Sequence, residues 1–393
     1  MIPVEDALAR VLALLTPLGP EDVPLTAAAG RVLAADAVAR RDQPPFAASA
    51  MDGYAVMGPV APGMAFAVVG EAGAGHAFAG ALGPGQALRI FTGAPMPAGA
   101  DRVVIQEDVT RTGDRIMLGD RLDRGTNVRA QGSDFAAGDR IAAPRRLRPA
   151  DLALLAAMNL ALVPVTRRPV VALIPTGDEL VMPGEEPGAD QIVASNIFAL
   201  KAMAEAEGAE VRLLPIARDT EAALTTVLGL ARGADLVVTI GGASVGDHDL
   251  VGKVAAGLGM ERAFYKIAMR PGKPLMAGRL GQAAMLGLPG NPVSAIVCGH
   301  LFLLPAIRRL LGLADVAPKP LRAVLAEDVG PTGPRTHYMR ARLIPGDGLP
   351  RIAPFARQDS ALLGVLAEAG ALLIRPLGDG ARRAGDEVGY LPL

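Results

Sequence analysis

Beyond Arg167 and Arg168 the chain settles into one alternation: an apolar run of five or six residues, a polar loop, then a stretch with helical spacing. The runs are 170–174, 211–216, 236–240 and 284–288, with helical patterns starting near Ser195, Asp219 and Asn291, the last reaching about Leu313. Such alternation of strand-length runs with helices builds a parallel sheet with helices on its faces. In such a sheet the right-handed crossovers leave the ligand crevice outside the carboxyl ends of the strands. The loops that follow the runs are therefore where chemistry is expected.

Those loops carry acids. The first reads Pro175-Thr-Gly-Asp-Glu179-Leu, the second Ala217-Arg-Asp219-Thr, the third Gly241-Gly-Ala-Ser244-Val-Gly-Asp247-His-Asp249. The glycine pair with Ser244 has the makings of an anion cradle, because backbone N–H groups can wrap a phosphate where no side chain intervenes; a plain strand-to-helix turn reads the same way. Asp178, Glu179, Asp219, Asp247 and Asp249 would share one sheet edge. Two like charges about 4 Å apart repel by roughly 4 kcal/mol at an effective dielectric near 20, so a cation is expected among them. Oxygen ligands favour a hard ion, and magnesium binds through one or two carboxylates plus substrate phosphates. Asp219 and Ser195 also stand where helix N-caps belong, and Asp219 can serve both purposes. Two Pro-Gly turns complete the edge: Leu288-Pro289-Gly290-Asn291-Pro292 stiffens a strand-to-helix junction, and Lys266, Arg270 and Lys273 surround the other, either as anion contacts or as a solvated basic loop.

The preceding part differs in texture. A helix is expected at the start, with Pro3 opening it, Glu5 and Asp6 in its first turn, and Leu8, Val11, Leu12 and Leu15 on one face. From about residue 22 to 166, short β-rich runs such as 65–69, 87–91, 102–106 and 115–118 alternate with Gly, Pro and Asp turns. The polar clusters Ser49-Ala-Met-Asp52-Gly-Tyr54, Phe91-Thr92-Gly, Gln106-Glu107 and Gly132-Ser-Asp134 lie in its loops, where Asp and Gly are ordinary turn residues. Gly70-Glu-Ala-Gly-Ala-Gly75 lacks the βαβ surroundings of a dinucleotide site and is set aside. After Pro318 about seventy residues of short strands read as a further β domain.

Composition narrows the class. At 393 residues several domains are expected, and a formal charge of −1 excludes nucleic-acid binding by overall field. The single Cys298 precludes an internal disulfide, and His76, His248, His300 and His337 have no zinc-ligand spacing. The acidic start is unlike a signal peptide, and no window holds 18 uninterrupted apolar residues, so a cytoplasmic protein without a membrane span is expected.

Several motifs occur together in order: Ala29-Gly-Arg-Val-Leu-Ala-Ala-Asp36, Pro44-Pro-Phe, Ser49-Ala-Met-Asp-Gly-Tyr-Ala-Val, Ile90-Phe-Thr-Gly-Ala, Gly99-Ala-Asp, Pro175-Thr-Gly-Asp-Glu-Leu, Gly241-Gly-Ala-Ser-Val-Gly, Pro271-Gly-Lys-Pro and Leu288-Pro-Gly-Asn-Pro-Val-Ser. With these the chain resembles the MoeA family, which includes the gephyrin E domain and its plant counterpart. It departs where Ala47-Ala48 replace a frequent Asp-Asn, at Arg270, often Lys, and at Asp359-Ser360-Ala361, where relatives carry Gly-Ser-Gly.

The resemblance implies an α/β plus β multidomain fold: a MogA-like molybdopterin-binding domain over 1–21 and 167–314, a β-rich domain over 22–43 and 139–166, a second over 44–138, and a C-terminal β domain over 318–393. It implies an elongated homodimer in which the region over 44–138 closes the partner's cleft. The activity implied is molybdenum insertion into adenylyl-molybdopterin with release of AMP, using molybdate and Mg2+. By motif, Asp52, Thr92 and Asp134 would face the cleft, and Glu179, Asp219 and Asp249 would be the acidic, metal-holding set. Thr176, Gly177, Gly241, Gly242, Ser244, Lys266, Arg270, Lys273, Pro289 and Pro292 would contact the pterin nucleotide. Transient contact with an adenylyltransferase or with molybdoenzyme maturation factors is also implied, without nucleic acid or membrane. Three alternatives stand beside it: a MogA-type adenylyltransferase, whose Gly-Gly-Thr-Gly contrasts with Gly241-Gly-Ala-Ser, a non-enzymatic scaffold, and a paralogue serving another cofactor form.

Overall fold

The computed structural model of the protein describes residues 1–242, 250–346 and 348–393. The strands expected after Arg168 form one six-stranded sheet in the order Glu210–Leu213, Val170–Pro175, Leu236–Ile240, Ala283–Leu288, Met276–Leu280, Glu261–Tyr265. The first four are parallel. The last two were not foreseen, and Met276–Leu280 runs antiparallel to both neighbours, so the sheet is mixed. Their polar residues explain this: Glu261–Tyr265 exposes Glu261 and Arg262, as suits an edge, whereas Leu236–Ile240 and Ala283–Leu288 are buried throughout. Because Met276 pairs with both Gly287 and Tyr265, the loop 266–275 emerges at the same edge as the carboxyl ends of the parallel strands.

Helices cover both faces. Asn196–Glu207 and the continuous helix Pro292–Leu310 lie on one side with the N-terminal helix Val4–Ala13, whose Val4, Ala7 and Val11 enter the same core. Glu221–Leu230 and Leu250–Gly257 lie on the other. Pro292–Leu310 contains a π-helical stretch, Gly299–Leu303, and stops at Leu310 rather than Leu313. There a Cβ on Gly299 would come within 2.8 Å of Leu200, so the wider turn sits where two helices approach closely. Among the described residues this is the one helix long and apolar enough to cross a membrane, and most of it is buried within the protein.

Helix capping also differs from expectation. Thr220, not Asp219, caps Glu221–Leu230, its hydroxyl accepting from the Ala223 N–H at 3.2 Å. The Asp219 N–H is instead directed to Asp178 Oδ1 at 3.0 Å. Ser195 makes no side-chain cap; its hydroxyl meets Asn196 Oδ1 at 3.3 Å.

The region before Arg167 is mainly β, as expected, with one unforeseen helix, Pro149–Ala157. Pro149 opens it and Asp151 reaches back to the Arg148 N–H at 2.8 Å, a capping arrangement obscured by the surrounding turns. The helix belongs to a small core with Leu33, Leu147, Val163 and Val165. A separate six-stranded sheet, including Gly53–Val56, Gln86–Ile90 and Arg102–Ile105, carries its own two clusters. Its strand Ala65–Ala72 runs through Gly70 and pairs directly with Gln86–Ile90, with no crossover helix of a dinucleotide fold.

At the C-terminus, Thr336–Ile344, Arg351–Pro354, Leu321–Leu325, Glu387–Pro392 and Ala371–Arg375 pair in sequence and close back on the first strand, making a barrel. Met269–Arg270, from the loop at the α/β edge, adds itself in parallel, with Arg270 opposite His337. Closing the barrel removes the free strand edges such a small domain would otherwise expose.

Candidate active site

At the acidic end of the α/β edge, three consecutive residues of one loop bind the other. The Ala217 N–H donates to Pro175 O at 2.9 Å, and the Ala217 carbonyl accepts from the Gly177 N–H at 3.1 Å. Arg218 Nη1 donates to the carbonyls of Asp178 at 2.8 Å and Leu180 at 3.1 Å, with Gly177 O at 3.5 Å. Asp219 completes the seam through its N–H bond to Asp178. Asp178, Glu179 and Asp219 are exposed, and neither Glu179 nor Asp219 has a side-chain partner among the described residues. Gly177 lets this happen: at φ +143° it could not easily be another residue, and a Cβ there would lie 2.3 Å from a Glu179 carboxylate oxygen.

The floor of the edge is tight. Thr176 is buried, its N–H donating to Ile240 O at 3.0 Å, so it shapes the turn. Gly241 has φ +102° and Gly242 φ +64°; a Cβ on Gly242 would stand 2.4 Å from Val251 Cγ2 and 3.0 Å from Thr176 Oγ1. The glycine pair thus answers to close packing whatever else it holds. Ser244, Asp247 and Asp249 lie outside the described residues. Among the described residues no three His, Cys, Asp or Glu side chains converge as a metal-ligand set. Pro289 is buried and Pro292 half-buried, and Gly290 between them has its carbonyl held by Asn196 Nδ2 at 2.7 Å. A cleft opens here, lined by Glu179, Ile192, Val193, Asn196, Ile240 and Gly290 among others.

The basic end is built across a domain junction. Lys266 takes φ +69° and places its ammonium 5.0 Å from the Tyr265 ring centre; its N–H donates to Leu275 O, while the Ile267 N–H donates to Lys273 O. Arg270 is exposed and Lys273 half-buried. Burial first, then the charges of Arg270, Arg335, Arg340 and Arg375, push His337 down to about 4. The barrel reaches the cleft rim through Ser360, whose carbonyl accepts from the Val293 N–H at 3.0 Å in the first turn of Pro292–Leu310.

Asp52 and Thr92 meet in the separate β sheet region, where the N–H and hydroxyl of Thr92 both donate to Asp52 Oδ1 at 2.8 Å. These two bonds hold the Asp52 carboxyl below its usual range, with a smaller contribution from Arg89. Arg89 lies 5.2 and 4.6 Å from the ring centres of Tyr54 and Phe91, and donates to Gly53 O and Gln106 Oε1. Asp134 is exposed on an adjoining segment whose backbone bonds to Gln43. Three contributors escaped the sequence reading: Arg218, Asn196 and Arg89. Arg218 was in view, beside Asp219, but nothing local indicated that it would cross to another loop.

The fold and this edge define an α/β domain of the kind that takes its ligand outside the strand carboxyl ends, joined to a β-rich N-terminal region and a small C-terminal β barrel. Family models match along the chain: the MoeA N-terminal region (domain I and II) over residues 2–159, the probable molybdopterin binding domain over 172–309, and the MoeA C-terminal region (domain IV) over 322–393. A molybdopterin molybdenumtransferase of a Nostoc species is 37% identical over 95% of this chain and 88% of its own length. One of Staphylococcus aureus is 30% identical over 98% of this chain and 94% of its own. The crystal structure of a molybdopterin biosynthesis MoeA protein from Pyrococcus horikosii superposes with a TM-score of 0.86 at 30% identity, covering 100% of this chain and 99% of that one. The chain belongs to the MoeA family and has its multidomain fold, including the MogA-like domain.

Proposed function

We propose that this chain is a molybdopterin molybdenumtransferase, inserting molybdenum from molybdate into adenylyl-molybdopterin with release of AMP, the final step of molybdenum cofactor formation. The observation that carries the reading is the divided edge: the Glu179 and Asp219 carboxylates, without side-chain partners among the described residues, at one end and cations at the other, on a chain similar over nearly its whole length to molybdenumtransferases. The four-domain division at 1–21 with 167–314, 22–43 with 139–166, 44–138 and 318–393 belongs to the same proposal. So do a cytoplasmic setting, a homodimer and transient contact with an adenylyltransferase or maturation factors.

Glu179 and Asp219 fit magnesium as hard oxygen donors without competing partners among the described residues, with Asp249 as a third candidate. The ion, when bound, would polarise the phosphoryl oxygens and offset repulsion between molybdate and pyrophosphate. The chain's own residues do the rest. Gly177, Gly241 and Gly242 keep side chains out of the turns, Thr176 braces the floor, and Pro289 and Pro292 stiffen the pterin-nucleotide side. Ser244 would add a contact there. Lys266, Arg270 and Lys273 hold anionic groups, Arg270 with the fork geometry suited to an oxyanion. Water attacks phosphorus, the P–O–P bond breaks, AMP leaves with the bridging oxygen and the water proton passes to solvent, while two Mo–S bonds form as the dithiol protons leave with one molybdate oxygen as water, so no side-chain nucleophile is required. Asp52, Thr92 and Asp134 lie in a region with its own sheet and would reach the cleft of a second copy.

Incubation of the purified protein with adenylyl-molybdopterin, molybdate and magnesium should release AMP and yield active cofactor, with both products dependent on molybdate. If the protein instead consumes ATP to adenylylate molybdopterin, and leaves the adenylylated compound intact, the adenylyltransferase alternative replaces this one.

A further inference from the structure

Arg218 stands next to Asp219 in sequence and reaches the main chain of Asp178, yet no ion pair joins it to either carboxylate within 4.0 Å among the described residues. Its Nη1 turns to main-chain carbonyls at 177, 178 and 180, which bracket Glu179 on both sides. The two neighbours of Arg218 bind the same loop through Ala217 and Asp219. The opposite side of that loop is tied separately, the Ile192 N–H donating to Glu179 O at 2.7 Å. A guanidinium bonded to carbonyls fixes the main chain while leaving the carboxylate oxygens available to a ligand. A direct salt bridge would occupy them.

We propose that Arg218 is a positioning residue for the transfer reaction: it sets the separation of the Glu179 and Asp219 carboxylates by clamping one loop to the other. This rests on the proposed role of those carboxylates. Because Arg218 is exposed, its removal should leave global stability nearly unchanged. Small displacements of reacting groups, in contrast, are strongly felt in rate.

The test is a cycle on the full-length protein, reading molybdate-dependent AMP release. Arg218→Ala should lower kcat about ten-fold with KM for adenylyl-molybdopterin changed less than about two-fold, and Arg218→Lys should recover part of the loss. In a Glu179→Gln background, Arg218→Ala should add less than about a two-fold further loss, since it acts through that carboxylate. The melting temperatures identify any loss that arises from unfolding. Wild-type kcat in Arg218→Ala, a full loss multiplying onto Glu179→Gln, or a loss explained by lowered melting temperature would each overturn the clamp. Wild-type activity in Glu179→Gln would instead overturn the role assigned to the acids, whatever Arg218 does.

Discussion

The two ends of the α/β edge differ in how they are made. The acidic end is assembled from neighbouring parallel strands, with the 175–180 and 217–219 loops laced by main-chain bonds and by Arg218. The basic end sits on the loop between the antiparallel strands Glu261–Tyr265 and Met276–Leu280, and its Met269–Arg270 segment pairs with the C-terminal barrel. One end therefore depends on local turn geometry within a single domain, and the other on two domains meeting correctly. Damage at the first should fall on the reaction step, and damage at the second on anion capture and on the stability of the joint.

The largest effect expected is at the acidic end: Asp219→Asn should reduce the kcat of AMP release by about 100-fold through lost charge stabilisation, with nucleotide binding by calorimetry retained. Equal losses of binding and turnover would mean that the two ends are not separable in this way. Next is Gly242→Ala. Its positive φ and the close approach to Val251 should cost about 1–3 kcal/mol, seen as a melting temperature lower by several degrees. An unchanged melting temperature would show the turn to be looser than its geometry implies.

The basic end should respond to acid. Folded His337 titrates near 4 against an ordinary 6.5, so between these values the unfolded chain takes up a proton that the folded chain refuses. Stability should therefore fall as pH drops from 6.5 toward 4 and level off below. His337→Asn should flatten that part of the profile in denaturant titrations, and an unaltered slope would remove His337 from the joint's pH response. The smallest change concerns the separate β region: Thr92→Val deletes one of two hydrogen bonds to Asp52 and should cost about three-fold in turnover. The Asp52 carboxyl should titrate at higher pH by NMR, while remaining below its ordinary value because the Thr92 N–H stays in place.

The same contrast explains what the sequence could reveal. Leu236–Ile240 was legible to the residue because a β-branched, almost entirely apolar run ends at Gly241-Gly242, and the acidic loops followed from the strands before them. Glu261–Tyr265 and Met276–Leu280 were not, since Arg262 and Arg279 break the apolar pattern and their place is fixed by pairing across the sheet. The Asp219 cap failed by one residue because its N–H is drawn to another loop, a long-range bond that propensity does not encode. Arg270 was named as a cation from its chemistry, but its place beside His337 depends on a strand contact spanning more than sixty residues of sequence.

The central claim is that the acidic end carries the reaction and the basic end captures the oxyanion, and steady-state AMP release at varied molybdate tests it most directly. Glu179→Gln should lower kcat with KM for molybdate little changed, whereas Arg270→Ala should raise that KM about ten-fold or more with kcat largely kept. The reverse pattern, or the same change in both variants, would contradict the account.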